Sequence, residues 1–164
     1  MTMITVRLEG DAAGLLRQME GLRDLDKAGL SETMAQIVRT STVKRFERQR
    51  GPDDKPWQPS QRARAENGVT LTDTTHLRTG IRAKSSADGW AVGTNVEYAA
   101  THQYGAPGRT IRAKTSHGLR FRVGGRWITK QAVTVNIPAR PFLGLSADDQ
   151  DEIAATLRDY LERL

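Results

Sequence analysis

The sequence lacks cysteine altogether and has no long apolar segment. Without cysteine the chain cannot carry disulfides, Cys-ligated zinc, iron–sulfur clusters or a thiol nucleophile, and this usage favours a reducing compartment. No apolar run approaches the ~20 residues that a membrane-spanning helix needs. Met1 to Gly10 has neither the basic nor the apolar region of a signal peptide. We therefore expect a soluble protein that is made in the cytoplasm and does not contact a membrane.

Acidic residues are also missing from a long segment in the second half of the chain. Between Ala99 and Ala147 there is no Asp or Glu, although the whole chain carries 19. The segment contains eight basic residues, and its charge therefore exceeds the formal net charge of +6 of the whole chain. The rest of the chain consequently carries a small net negative charge. A polyanion, an acidic partner or simple solvation would each account for such a segment. Its basic residues are Arg109, Arg112, Lys114, Arg120, Arg122, Arg126, Lys130 and Arg140.

The first half of the chain predicts a strand followed by two helices. Residues 4–8 alternate between apolar and polar side chains, which indicates a strand, and residues 11–22 carry apolar positions at helical spacing. The same spacing from Leu30 to Phe46 predicts a longer helix, which Gly51-Pro52 ends. The next segment is rich in proline, and its large apolar residue, Trp57, is expected to pack onto the core. Gln61 to Thr75 is polar and weakly patterned, and is predicted to be a loop.

The second half predicts two hairpins, a short helix, one further strand and a terminal helix. The first hairpin turns near residues 87–89, and a helical turn or two follows over residues 97–103. Residues 109–116 resemble a flexible basic arm. The second hairpin turns at Gly124-Gly125, and its alternation predicts one apolar and one cationic face. A strand over residues 133–137 precedes a helix capped at Ser146.

The predicted fold class is α+β, with a mainly antiparallel sheet and helices on one face. The chain is expected to form a single domain over residues 1–164, in which the basic arm and hairpin span about residues 106–131.

No catalytic or metal-binding motif assembles in the sequence. His76, His102 and His117 are far apart and lack metal-ligand spacing. Asp53-Asp54 lies in the proline-rich segment and fits a solvated turn. No glycine pattern matches a phosphate-binding loop, so no cofactor is expected. An enzyme would have to rely on residues such as Glu97, Tyr98 and His102.

One string near the C-terminus resembles the signature of a known family. It runs Ile137-Pro-Ala-Arg-Pro-Phe-Leu-Gly-Leu-Ser146 and precedes an acidic helix start. In this string Pro138 and Pro141 fix the backbone around Arg140, while Phe142 and Leu143 remain to be buried. Arg140 is therefore held in place, to pair with a carboxylate of its own chain or of a neighbouring subunit.

Further motifs occur in the order expected for the phage virion morphogenesis family. This family includes tail-completion protein S and the G protein of Mu-like phages. The matching positions include Arg45-Phe46, Trp57 at the end of a P-x-x-x-P-W loop, Gly80 after Leu77-x-Thr79, Val92-Gly93-Thr94, Tyr98-Ala99, and His102, Gln103 and Gly105 of a His-Gln-Tyr-Gly motif. One position departs from the pattern, because Asp54 stands where the family's loop often has glycine. The resemblance extends from about residue 30 to the C-terminus.

The resemblance implies a structural, non-catalytic virion protein that completes or terminates the tail at the head–tail junction. It implies a ring of identical subunits, a hexamer, with the tail tube protein and a head-completion or neck protein as partners. Genome DNA would cross the channel of such a ring, and Arg120, Arg122 and Arg126 are predicted to face it without reading sequence. A non-catalytic DNA-binding or packaging accessory is the alternative, and an enzyme is a third.

Overall fold

The computed structural model describes residues 25–163, which form six strands and five helices. The strand predicted over residues 4–8 and the helix predicted over residues 11–22 lie outside this range. In chain order the elements are α1 (Lys27–Arg48), α2 (Gln61–Glu66), α3 (His76–Thr79), β1 (Arg82–Ser86), β2 (Gly89–Gly93), α4 (Ala99–Tyr104), β3 (Ala106–Arg112), β4 (Leu119–Val123), β5 (Arg126–Lys130), β6 (Ala132–Ile137) and α5 (Ala147–Leu161).

Helix α1 is the longest element and confirms the helix predicted from Leu30 to Phe46. Asp26 caps it, because its side chain accepts a hydrogen bond from the Gly29 N–H at 2.9 Å. Its buried positions recur every three or four residues and include Met34, Val38 and Phe46. That face packs against β1 and β2, which form the predicted first hairpin.

The core gathers apolar residues from both halves of the chain around Phe46. The Phe46 ring meets Trp57 edge to face at a centroid distance of 5.5 Å and Phe142 at 5.4 Å. Leu77 and Ile81 are fully buried beside them. Trp57 is 6% exposed, and its Nε1 donates to the Pro141 carbonyl at 2.8 Å. The expectation that Trp57 packs onto the core is therefore confirmed.

The described strands form three antiparallel pairs, and the α+β class is confirmed. Strand β3 pairs with β6, and β4 pairs with β5. Gln131 alone separates β5 from β6, and the Ala113 N–H donates to its carbonyl at 2.8 Å. The two pairs therefore follow one another as a continuous two-stranded ribbon. At roughly 3.3 Å per residue, the strand from residue 126 to residue 137 spans about 40 Å.

The flexible arm predicted over residues 109–116 is wrong for its first part, because Ala106–Arg112 is strand β3. Thr110 lies opposite Thr134, their hydroxyls 3.3 Å apart, and Ile111 lies opposite Val133. The pairing has a register shift between residues 106 and 109, where Gly108 has φ 63°. The strand was missed because its hydrogen-bond partners come from the distant strand β6.

The loop predicted over Gln61 to Thr75 is also partly wrong, since α2 occupies its first six residues. The Ser60 hydroxyl caps α2 by accepting from the Ala63 N–H at 3.1 Å, and Asn67 ends it with φ 51°. Further along, Thr70 is buried, and its N–H donates to Gln49 Oε1 at 2.8 Å. The helix cap and the hydrogen bond between Thr70 and Gln49 stabilise this segment. Because neither interaction requires regularly spaced apolar residues, the segment lacks the periodicity from which a helix is predicted.

Candidate functional site

The signature segment from Ile137 to Ser146 is clamped onto the core by the His-Gln-Tyr-Gly motif. The backbone N–H groups of Phe142 and Leu143 both donate to Gln103 Oε1 at 3.0 Å. Gln103 Nε2 in turn donates to the Leu143 carbonyl at 3.0 Å. The Arg140 N–H donates to the His102 carbonyl at 2.7 Å. Two motifs separated by more than thirty residues in sequence therefore form one rigid unit.

Gly105 permits this close approach. It has φ 78° and ψ 172°, a conformation that side chains disfavour. A Cβ atom there would lie 2.8 Å from the Ala139 backbone nitrogen and 3.0 Å from the Ile137 carbonyl oxygen. Gly80, another glycine of the motifs, ends α3, where a Cβ atom would lie 2.9 Å from the side chain of Val96. Both positions require glycine for steric reasons.

Arg45 is a buried connection between α1, the signature segment and α5. Its Nη1 donates to the carbonyls of Phe142 at 2.9 Å and Gly144 at 2.8 Å. Its Nη2 forms a 2.5 Å ion pair with Asp149, which is itself part of the capping box with Ser146 at the start of α5. The predicted cap is confirmed. The ion pair was missed, because Arg45 and Asp149 lie 104 positions apart in the sequence.

The pKa values of this pair reflect its burial. Burial lowers the pKa of Arg45, and Asp149 partly offsets this effect. Burial raises the pKa of Asp149, but hydrogen bonds from Ser146 and Ser41, together with the charge of Arg45, outweigh burial and leave that pKa below its ordinary value. Both groups are therefore charged at neutral pH.

Arg140 lies beside an open cavity of about 330 Å³, which is lined by residues of α2, α3, α4 and the signature segment and of the connections before these helices. Its side chain is buried, and Nε donates to the Gln58 carbonyl at 2.7 Å. Within residues 25–163 no carboxylate lies within 4.0 Å of its guanidinium, so the structure does not show the predicted own-chain ion pair. Burial lowers the pKa of Arg140, and the nearby charge of Arg64 adds to this.

Tyr98 and His102 line the same cavity, and their rings lie 5.8 Å apart, edge to face. The His102 Nδ1 atom is buried and, in the described part of the chain, has no hydrogen-bond partner. Burial lowers the pKa of His102, and the Arg140 charge lowers it further. Glu97, the third candidate of the enzyme alternative, is exposed and makes no hydrogen bond to either residue in the described structure. No acid–base pair is assembled here.

The remaining candidate positions have structural explanations. Asp54 has φ 57°, the left-handed conformation that glycine adopts most readily, which accounts for the frequent glycine at this position. Asp53 and Asp54 form exposed ion pairs with Lys55 and Arg50, in agreement with a solvated turn. In the range that the structure describes, no group of three His, Asp or Glu residues is placed to hold a metal ion, and no helix is long and apolar enough to cross a membrane.

The basic side chains extend along the ribbon but do not share one face. In the β4–β5 hairpin, Arg120 and Arg122 lie opposite Thr129 and Trp127, whereas Arg126 is on the other face of its strand. The guanidinium carbon of Arg120 lies 4.6 Å from the centre of the Trp127 ring, and Trp127 is 62% exposed. The prediction of one apolar and one cationic face is therefore wrong in two places: the Trp127 indole lies on the cationic face, and Arg126 lies on the other face.

The other predicted basic residues are likewise exposed. Arg109 shares a face of β3 with Ile111, and its Nη1 donates to the Thr101 hydroxyl at 2.7 Å. Arg112 lies on the opposite face of that strand, Lys114 lies in the connection to β4, and Lys130 ends β5. Together with the hairpin they make the ribbon cationic along its length. We refer to residues 106–137 as the basic ribbon.

Comparison with known proteins defines the class of this chain. The profile of the phage virion morphogenesis family matches residues 7–162, so the chain belongs to this family and has a role in building phage particles. A curated relative, the Mu-like prophage FluMu G protein 2 of Haemophilus influenzae, is 28% identical over 138 residues, which are 84% of this chain and 80% of the relative. No solved structure matches the chain.

Proposed function

We propose that this protein completes the phage tail at its head-proximal end and forms part of the head–tail junction as a structural, non-catalytic component. The observation that carries the proposal is the match to the virion morphogenesis family over nearly the whole chain. The clamped signature segment is consistent with it, because Arg45 and Gln103 hold that segment rigidly against the core. A rigid core with a long exposed ribbon suits a part that joins larger assemblies.

The proposed assembly is a sixfold ring, with the tail tube protein on one side and a head-completion or neck protein on the other. A ring needs two different contact surfaces on each subunit. Exposed aromatic residues support the presence of such surfaces: Tyr104 is 79% exposed although its motif neighbours are buried or half-buried, and Trp127 is 62% exposed. Aromatic residues are enriched at protein interfaces.

The basic ribbon is proposed to meet the genome in the channel of this ring. It carries no acidic residue, so a phosphate backbone would encounter no repulsion along it. Arg120 and Arg122 are the proposed contacts, since they share one exposed face with Trp127. Arg126 belongs to the opposite face and is the residue least compatible with the same contact.

Salt dependence tests the contact with DNA. Each phosphate contact contributes roughly 0.9 to the slope of log affinity against log salt, so the Arg120→Gln, Arg122→Gln variant should lower that slope by about 2 with a duplex of arbitrary sequence. The matched control is Lys44→Gln, Lys84→Gln, which removes the same charge from α1 and β1. Equal slopes for both variants would contradict the proposed contact.

Removing the chain from its phage tests the junction role. Infected cells should accumulate filled heads and separate tails, and adding the purified protein to the lysate should restore joined, infectious particles. The competing function is a DNA-binding packaging accessory, which the acid-free basic ribbon also favours. That function predicts unfilled heads, which the added protein would not rescue, and this outcome would overturn the tail-completion proposal.

A further inference from the structure

The cavity beside Arg140 has the donors of an anion site and almost no negative charge to balance them. Arg140 is 5% exposed, and its Nε and Nη1 face the carbonyls of Gln58 at 2.7 Å and Pro138 at 3.5 Å. Nη2 has no partner among residues 25–163. A buried guanidinium without a counter-charge is costly, and such groups are normally paired.

His102 adds a second unmet requirement on the same cavity. Its Nδ1 is buried without a hydrogen-bond partner in the described residues, although buried polar atoms are nearly always bonded. Ser60, His76 and Tyr98 bring further hydroxyl and imidazole groups to the lining. Beside this cavity, therefore, one buried nitrogen of α4 has no partner, and Arg140 Nη2 makes no hydrogen bond to the described residues.

The charged groups around the cavity leave it electropositive. Asp73 is the acidic residue among its described lining residues; it pairs with Arg62 at 3.6 Å, and its side chain is 67% exposed. Arg64 adds positive charge near Arg140. Burial lowers the pKa of His102, and the charge of Arg140 lowers it further. An anion entering here would meet the Arg140 guanidinium, and the charge of Arg64 nearby would add to the attraction.

The size of the cavity and the burial of Arg140 indicate which anion fits. At about 330 Å³ it has room for a side chain or a small molecule. A DNA phosphodiester is tethered on both sides and cannot reach a guanidinium buried to this degree. A carboxylate is planar, has two acceptor oxygens and matches the hydrogen-bonding geometry of arginine.

We propose that the pocket formed by Ser60, Tyr98, His102 and Arg140 binds a carboxylate group, supplied either by an acidic side chain of another subunit or by a small free carboxylate. The carboxylate would accept from Arg140 Nη2, and its negative charge would favour protonation of the neighbouring His102 ring. Helix α5 offers a source within a second copy. Its exposed acids Asp151, Glu152 and Asp159 have no ion pair in the described structure. The subunit source rests on the proposed ring, whereas binding at the pocket does not.

Titration of the full chain with sodium acetate, followed by NMR, tests the pocket itself. Sodium chloride at equal ionic strength is the reference. Acetate should raise the pKa of His102 in a saturable manner, because the anion stabilises the protonated ring, and should shift the Arg140 Nε–H resonance. The exposed His117 is the internal control. An equal response of His102 and His117 would overturn the proposal, as would inorganic phosphate binding more tightly than acetate.

Two variants separate binding from folding. In Arg140→Gln the acetate response of His102 should disappear. If that variant fails to fold, His102→Gln provides the second test: Arg140 Nε–H should still respond to acetate, with affinity weakened at least threefold. An unchanged affinity of this variant for acetate would show that His102 does not contribute to the site.

Sedimentation velocity then identifies the source of the carboxylate. If another subunit supplies it, acetate should dissociate the assembly, and so should the triple variant Asp151→Asn, Glu152→Gln, Asp159→Asn. The matched control, Glu32→Gln, Asp88→Asn, Glu97→Gln, should not. If His102 responds to acetate but the assembly does not dissociate, the ligand of the pocket is a free carboxylate and not a side chain of another subunit. A monomer whose His102 responds to acetate would count against the ring but not against the pocket.

Discussion

Replacing Arg45 with methionine removes the charge at the centre of the buried connection while keeping a side chain of similar length. In the wild type the guanidinium bonds to the carboxylate of Asp149 and to the carbonyls of Phe142 and Gly144. The variant leaves that carboxylate 2% exposed with no positive partner. Both carbonyls also lose their side-chain donor.

The expected loss of stability is large. Breaking a buried ion pair by removing one partner costs about 3–5 kcal/mol, because the remaining charge is buried and uncompensated. For a chain of this length, 1 kcal/mol corresponds to a shift in Tm of about 3 °C. The Arg45→Met variant should therefore melt about 9–15 °C below the wild type.

Urea denaturation and thermal melting at a fixed protein concentration measure this effect. Arg48→Met is the matched control; it lies one turn further along the same helix, is exposed, and should change stability by less than about 0.5 kcal/mol. The double variant Arg45→Met, Asp149→Leu should recover part of the loss, since it buries no unpaired charge. An Arg45→Met variant as stable as Arg48→Met would refute the reasoning.

Three further predictions concern single positions. Gly105→Ala should cost more than about 2 kcal/mol in urea denaturation, because of its positive φ and its contacts with backbone atoms, whereas Gly93→Ala, where a Cβ atom meets nothing within 4 Å, should cost less than half as much. Asp54→Gly should stay within about 0.5 kcal/mol of wild type, and Asp54→Val should lose more than about 1 kcal/mol, since a β-branched residue disfavours φ 57°; equal melting temperatures would contradict this. Because the pKa of His102 is lowered, by burial and then by Arg140, the unfolded chain binds the proton more readily, so stability should rise with pH through the range just below about 6.5. The urea midpoint measured from pH 5 to 7 should lose that rise in His102→Gln, and an unchanged rise would assign it to another group.

Patterns local in sequence predicted much of the fold. The α1 helix, both hairpins and the cap at Ser146 each depend on residues within a few positions of one another, and each is confirmed. The strand β3 was missed because its hydrogen-bond partner, β6, lies more than twenty residues away. Helix α2 was missed because caps, not an apolar face, stabilise it.

The functional surface was harder to predict than the fold. Strict alternation suggested a cationic face from Arg120 and Arg122, and the register confirms that these two share a face. The two-residue turn pairs Trp127 with Arg122, so Trp127 lies on the cationic face and Arg126 lies on the opposite face. The alternation within one strand does not show how the next strand is paired with it. Arg45 was identified as part of a family motif and the start of α5 by its cap at Ser146, but the contact between Arg45 and Asp149 spans 104 positions. Only the folded chain brings them together.

Cryo-electron microscopy of virions of the parent phage tests the central claim most directly, by locating this chain and counting its copies. The account predicts six copies in a ring on the head-proximal end of the tail, with Arg120 and Arg122 of each basic ribbon directed toward the channel. Absence of the chain from the mature particle, or a position away from the head–tail junction, would contradict it.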